Sequence, residues 1–168
     1  NPYSASKAAS DHFVMAYHNT YDLPTIITNC SNNYGPRQYK EKLIPQTICN
    51  ILDNKKIPVY GNGLQVRDWL YVKDHCAALT QVWKHGEVGE KYNIGGECEI
   101  RNIDLVKKIL KYMGRDESMI EYVKDRPGHD RRYSTDIRKI QNHIGWEPLY
   151  SLDYGLQQTI EWYENHRN

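Results

Sequence analysis

Apolar residues recur along this chain with two alternating periods. From Pro2 onward, Ala5, Ala8, Ala9, His12 and Ala16 fall three or four residues apart, which predicts a helix opened by proline and ended near Tyr21-Asp22, ahead of Leu23-Pro24. Its stripe is built from small residues, so another helix can approach it closely. Thr25-Ile26-Ile27-Thr28 is a short β-branched run, the pattern of a buried parallel strand, and a polar loop is expected from Asn29 to Tyr39. Ile44, Ile48, Ile51 and Leu52 predict a helix over about 43–54. Pro58-Val59-Tyr60 reads as a strand stopped by the Gly61-Asn62-Gly63 turn, and Arg67 to Val72 as another. Cys76, Leu79, Val82 and Trp83 mark the inner face of the following helix.

The second half continues the alternation. Tyr92-Asn93-Ile94 is a strand stopped by Gly95-Gly96. Asn102 is placed to cap a helix whose inner face is Ile103, Val106, Ile109, Leu110 and Met113, with Gly114 closing it. Asp125 to Tyr133 is a charged loop around Pro127-Gly128, and Ile137 to His143 a short helix. Ser151 caps a last helix with Leu152, Leu156, Ile160 and Tyr163 inward. Helices alternating with short strands define the α/β class, and the latter half reads as a small α/β lobe.

Composition narrows the functions open to such a fold. With 168 residues, 22 basic against 21 acidic, the chain suits about one domain and carries a net charge of +1. It has no basic cluster, which argues against nucleic acid as the partner. No apolar run approaches the roughly 20 residues that span a bilayer, and no signal-peptide pattern opens the chain. Cys30, Cys49, Cys76 and Cys98 lie far apart without a C-x-x-C, so neither a disulfide framework nor a zinc site is expected and a cytoplasmic setting fits. The 7 histidines form neither H-E-x-x-H nor a Cys/His cluster, so no catalytic metal is expected.

Several residues can carry chemistry. Tyr3 and Lys7 stand one helical turn apart on one face. A free phenol is a poor base at neutral pH, and a neighbouring ammonium favours the phenolate, so the pair can deprotonate an alcohol. The spacing by itself describes a solvated surface pair equally well. Asn32 and Asn33 follow a strand's carboxyl end, where open α/β sheets bind ligands, although capping of a turn is the plainer role. Arg67 and Arg126 offer guanidinium forks that match phosphate oxygens.

The wording around these residues is specific. Asn1-Pro-Tyr-Ser-Ala-Ser-Lys7, Asn29-Cys-Ser-Asn-Asn-Tyr-Gly-Pro36, Glu41-Lys-Leu-Ile-Pro45, Arg67-Asp-Trp-Leu-Tyr-Val72, Tyr92-Asn-Ile-Gly-Gly96 and Asp125-Arg-Pro-Gly-His-Asp-Arg-Arg-Tyr133 follow in order. Together they resemble the dTDP-glucose 4,6-dehydratase family of extended short-chain dehydrogenases over nearly the whole chain. The resemblance implies the C-terminal part of a Rossmann-like parallel sheet (about 1–35, with 64–95 returning to it) plus a small α/β substrate-binding lobe (about 36–63 and 96–168). It implies bound NAD, dTDP-glucose as substrate, and conversion to the 4-keto-6-deoxy sugar with loss of water. Tyr3 is then the base, Lys7 holds the phenolate and the cofactor ribose, and Asn33 lies near the nicotinamide. Asn32 is placed on the substrate, Lys42 and Leu43 around the nucleotide base, and Pro58 and Tyr60 in the nucleotide pocket. Arg67 and Arg126 are implied as pyrophosphate ligands, Asn102 as a phosphate or nucleotide contact, and His129 as part of the substrate site. The small-residue helix resembles the one such enzymes pack against a second copy, which implies a homodimer.

Two features of that family are absent from the sequence. No glycine fingerprint precedes the Tyr3/Lys7 helix, since the first glycine is Gly35, and there is no Thr-Asp-Glu segment to supply acid and base. Both are expected upstream in a longer protein, and the isolated chain is expected to be inactive. A UDP-sugar epimerase or decarboxylase shares the Tyr/Lys pair and the Arg-Asp-Trp block, and a binding fragment without turnover is the alternative from another class.

Overall fold

The computed structural model describes residues 1–166; residues 167 and 168, the end of the second expected lobe, lie outside the described residues. In chain order come α1 (Pro2–Tyr21), β1 (Ile27–Cys30), β2 (Asn32–Tyr34), α2 (Leu43–Leu52), β3 (Ile57–Tyr60), β4 (Val66–Tyr71) and α3 (Val72–His85). They are followed by β5 (Lys91–Ile94), β6 (Glu99–Arg101), α4 (Asn102–Tyr112), β7 (Ile120–Val123), β8 (Arg132–Tyr133), α5 (Arg138–Ile144) and α6 (Leu152–Asn165). β1 pairs with β5, β2 with β4 and β3 with β7, all parallel, while β6 runs antiparallel to β4 and β8 parallel to its first residues.

Strand β4 organises the interior. Both of its faces are covered, so Asp68, Trp69, Leu70 and Tyr71 are all buried, and its alternate side chains enter two different cores. Trp69 and Tyr71 join the larger core, which Ile44, Ile48 and Ile51 of α2, Leu105 and Ile109 of α4, and Leu156 of α6 fill at helical spacing. Leu70 points the other way, onto Ala78 and Val82 of α3, Tyr92 and Ile94 of β5, and Ile137 and Ile140 at α5.

Helix α1 is held differently. Asn1 caps it, accepting from the Ser4 amide at 2.9 Å with Pro2 at the first helical position, and Asp22 ends it in the left-handed region. None of its residues is buried, and Phe13 is 68% exposed. Its tether to the sheet is Asp11, which accepts from Lys91 Nζ at 2.8 Å and from Asn29 Nδ2 at 3.4 Å. No described helix is long and apolar enough to cross a membrane.

The structure corrects the predicted pattern in four places. The first strand runs Ile27–Cys30 rather than over 25–28, because Thr25 is engaged by the Gly89 amide (2.7 Å) before the ladder opens with Ile27 donating to Glu90 (3.0 Å). The expected loop from Asn29 contains β2, an asparagine-rich strand whose backbone is satisfied by β4. On α3 the buried positions are Asp74, Ala78 and Val82, while Leu79 and Trp83 are 40% and 80% exposed and Cys76 faces out. The cause is Asp74, whose carboxylate accepts from the amides of Leu149 (3.0 Å) and Tyr150 (3.1 Å) and so sets the rotation of the helix. Finally, β6, β7 and β8 form where no strand is expected, β8 within the charged loop from Asp125 to Tyr133.

Candidate active site

Two cavities, of about 550 Å³ and about 740 Å³, meet at Asn32 and Arg67, which line both. The larger takes Tyr3 and Lys7 from the first turns of α1, with Cys30, Ser31 and Tyr133 opposite. The smaller takes Asn33, Lys42, Leu43, Tyr60, Asn102, Arg126 and His129. Every predicted site residue thus lies on one continuous cleft except Pro58, which sits in β3 and lines neither cavity. Among the described residues no three His, Cys, Asp or Glu side chains are grouped to hold a metal ion.

The sheet places the central residues. Because β1 ends at Cys30 and only Ser31 separates it from β2, Asn32 and Asn33 stand just past a parallel strand's carboxyl end. Asn33 donates through Nδ2 to Cys30 Sγ at 3.1 Å and to the Ser31 carbonyl at 3.4 Å, leaving its amide oxygen buried without a partner. Asn33 lines the Arg126 side of the cleft rather than the Tyr3 side. Asn102 does not cap α4: Arg101 occupies that position, and Asn102 is the helix's first residue. Its backbone amide donates to the Gln65 carbonyl (2.9 Å), and its side-chain oxygen is buried without a partner on a residue that lines the cleft.

The cations are pre-arranged. Arg67 donates through Nη1 to the Val66 carbonyl (2.7 Å) and through Nη2 to the Asp130 carbonyl (2.9 Å). Burial lowers its hold on the proton from the usual arginine range and the Asp130 charge opposes this, the signature of a guanidinium short of solvent. Arg126 lies over the Tyr60 ring with its guanidinium carbon 4.1 Å from the centroid. Lys42 pairs with Glu41 at 3.0 Å on the surface. His129 Nδ1 meets Asp125 Oδ1 at 2.7 Å, and the imidazole together with the Arg126 and Gln65 donors holds the Asp125 carboxyl below the usual carboxylate range.

Some lining residues escaped sequence reasoning. Tyr133 donates its hydroxyl to the Cys30 carbonyl at 3.4 Å, and burial, reinforced by the Cys30 and Tyr3 groups, pushes its phenol up, so it remains a neutral donor. Gln38 and Trp69 also border the cleft, and Gln38 Oε1 and Trp69 Nε1 are buried without partners. A buried tryptophan normally finds an acceptor for its N–H, which was the available signal at Trp69. A cleft with two guanidinium groups at its centre, unmet polar atoms on its walls and a phenol beside an ammonium at one end suits a polar anion joined to an alcohol.

The family profile of GDP-mannose 4,6-dehydratase matches residues 1–159, and the chain belongs to that family. The dTDP-glucose 4,6-dehydratase of Escherichia coli is 52% identical over 178 residues, which take in 99% of this chain and 49% of that protein. The crystal structure of dTDP-glucose 4,6-dehydratase from Bacillus anthracis in complex with NAD superposes with a TM-score of 0.95 at 52% identity, covering 99% of this chain and 53% of that one. The dTDP-glucose 4,6-dehydratase of Streptomyces venezuelae, also with NAD bound, gives a TM-score of 0.97 at 46% identity over 99% of this chain and 52% of its own. The fold is therefore that of the extended short-chain dehydrogenases, Rossmann-like with parallel sheets. The chain spans about half the length of the curated relatives it matches.

Proposed function

We propose that the protein dehydrates dTDP-glucose to dTDP-4-keto-6-deoxyglucose. The observation that carries this reading is the single cleft in which Tyr3 and Lys7 share the wall residues Asn32 and Arg67 with the Arg126 side. Arg67 and Arg126 hold the diphosphate, with Asn102 beside them, and Lys42, Leu43 and Tyr60 surround the base. This anchoring places the sugar at the Tyr3 end, so binding energy remote from the reacting carbons positions them. Pro58 supports Tyr60 from within β3. His129 borders the sugar-nucleotide, and Asn32 meets the sugar between the two cavities.

Tyr3, held as its phenolate by the Lys7 ammonium, takes the proton of the 4-hydroxyl and becomes a neutral phenol. Loss of that proton together with hydride from carbon 4 leaves a ketone, which acidifies carbon 5 and permits the carbon 5 proton and the carbon 6 hydroxyl to leave as water. NAD, when bound, supplies the hydride acceptor and donor for this internal redox cycle. The residues present fit its ribose and nicotinamide end. Lys7 and Tyr3 face a cavity of about 740 Å³ on whose wall Ser31 Oγ and Thr135 Oγ1 are buried without partners, whereas Asn33 lines the other cavity and is not part of this fit. In this reading residues 1–35 and 64–95 belong to the cofactor side and 36–63 and 96–168 to the nucleotide lobe. The four free cysteines suit a reducing cytoplasm.

A second copy of the chain is the occupant proposed for α1. The helix buries none of its residues and presents Phe13, Tyr17 and Tyr21 beside its alanine stripe. Sedimentation as a monomer counts against this. For the reaction, the polypeptide as the cell makes it is incubated separately with dTDP-glucose, UDP-glucose and UDP-glucuronate, and the products are weighed by mass spectrometry. Loss of one water from the dTDP sugar supports the reading. An isobaric product identifies an epimerase, and loss of carbon dioxide from a UDP-uronate identifies a decarboxylase.

A further inference from the structure

The segment from Asp125 to His129 carries two cleft side chains, Arg126 and His129, yet belongs to no helix or strand. One carboxylate fixes it. Asp125 Oδ1 accepts from the Arg126 amide at 2.8 Å and from His129 Nδ1 at 2.7 Å, while Oδ2 accepts from Gln65 Nε2 at 3.0 Å. Gln65 is only 7% exposed and stands two residues before Arg67, and its carbonyl receives the Asn102 amide at 2.9 Å. On the other side the Gly61 turn, next to Tyr60, is pressed against the same group: a side chain at Gly61 would begin 2.8 Å from Asp125 Oδ2, at a φ of +59°. Asp125 therefore touches, directly or through Gln65, the backbone that presents Tyr60, Arg67, Asn102, Arg126 and His129.

A carboxylate beside a diphosphate site opposes anion binding by simple repulsion. Here its negative charge is taken up by an amide N–H, a carboxamide and an imidazole, and what remains is geometry. We propose that Asp125 is a positioning residue that sets the Arg126 fork and His129 in register with Arg67, so that a nucleoside diphosphate finds both guanidinium groups already placed. This inference rests on reading the cleft as a nucleotide-sugar site.

The test uses the polypeptide as the cell makes it. In Asp125→Asn, which keeps the shape but loses acceptor capacity, the KM for dTDP-glucose and the Kd for dTDP are expected to rise roughly tenfold, with kcat within about twofold. In an Arg126→Ala, His129→Ala background the same change is expected to add little, because both side chains it positions are gone. An unchanged KM and Kd in Asp125→Asn overturns the proposal. An equal loss in both backgrounds also overturns it, since the carboxylate then serves the fold alone. Should Asp125→Asn fail to fold, Gln65→Met removes the other anchor of the carboxylate and carries the same expectation, and an unchanged KM there is equally fatal. A parent protein that binds no dTDP removes the reading of the cleft itself, a result seen before any substitution is made.

Discussion

Arg126 rests its guanidinium on the ring of Tyr60, 4.1 Å from the centroid. Stacking of this kind contributes about 0.5–2 kcal/mol and leaves the edge N–H groups of the fork free for an anion. Arginine is required on both counts, because lysine has neither the flat face nor the bidentate edge. Arg126→Lys is expected to weaken dTDP binding about tenfold and Arg126→Ala somewhat more, by titration calorimetry at fixed salt. Retention of full affinity by Arg126→Lys would mean that only a point charge is needed there.

Tyr3 separates chemistry from binding. It lines the end of the cleft away from Tyr60 and Arg126, and its ring would survive replacement by phenylalanine. Tyr3→Phe is expected to lower product formation by at least about 100-fold, the usual scale of a lost general base, with the Kd for dTDP changed less than about twofold. Product assays and calorimetry on the same preparation check both halves, and a fully active variant excludes the phenol as base.

Gly155 shows packing overriding propensity. In the middle of a helix, glycine to alanine ordinarily stabilises by about 1 kcal/mol. In α6, however, a methyl at Gly155 would strike the Tyr34 hydroxyl and lie 2.8 Å from its Cζ. Tyr34 is 2% exposed and wedged against Trp69 and Tyr71, so it has nowhere to retreat. Overpacking of about 1–3 kcal/mol then exceeds the propensity gain, and Gly155→Ala is expected to melt a few degrees lower. A rise in melting temperature refutes the clash.

What the side-chain pattern discloses follows from where each element finds its partners. Helices α2, α4 and α6 bury one continuous stripe each, so Ile44, Ile48 and Ile51 announce α2 directly. The cleft residues were legible by another route: among 14 tyrosines and 22 lysines and arginines no single one stands out, and it is the motifs following in order that mark these. The edges of the sheet were not: β2 is Asn-Asn-Tyr, and β8 is only Arg132-Tyr133, strands made by their pairing with β4 rather than by their own residues. Asp125 and Gln65 stayed hidden for the same reason, because a carboxylate at one position gains its meaning from an amide 60 residues away.

Asp74 is where a polar residue decided a helix's rotation against its hydrophobic pattern. Its carboxylate, on a residue 1% exposed, closes two backbone amides, those of Leu149 and Tyr150. Alanine there leaves both N–H groups without a partner, which costs about 2–4 kcal/mol. Asp74→Asn keeps one acceptor oxygen and is expected to lose roughly half as much. Chemical unfolding of both variants checks the order; equal stability of Asp74→Ala and the parent would show that water replaces the carboxylate.

Buried phenols make the fold vulnerable to base. Tyr163 is 2% exposed and donates its hydroxyl to the Gln38 carbonyl, and burial, with the Cys49 charge adding to it, pushes its pKa to about 12. Tyr34 and Tyr71 are pushed in the same direction, chiefly by burial. In the unfolded chain these phenols ionise near pH 10. A group whose folded value is the higher one gives stability that is complete below about pH 10 and drains away as the pH climbs towards about 12, because the unfolded chain then sheds protons that the folded one retains. Unfolding midpoints in urea are therefore expected to fall from pH 9.5 upward, about where the free phenol starts to titrate. Tyr163→Phe is expected to be less stable than the parent at neutral pH, having lost the bond to Gln38, and to show a shallower alkaline decline. Parallel alkaline limbs for the two proteins would mean that Tyr163 ionises as readily folded as unfolded.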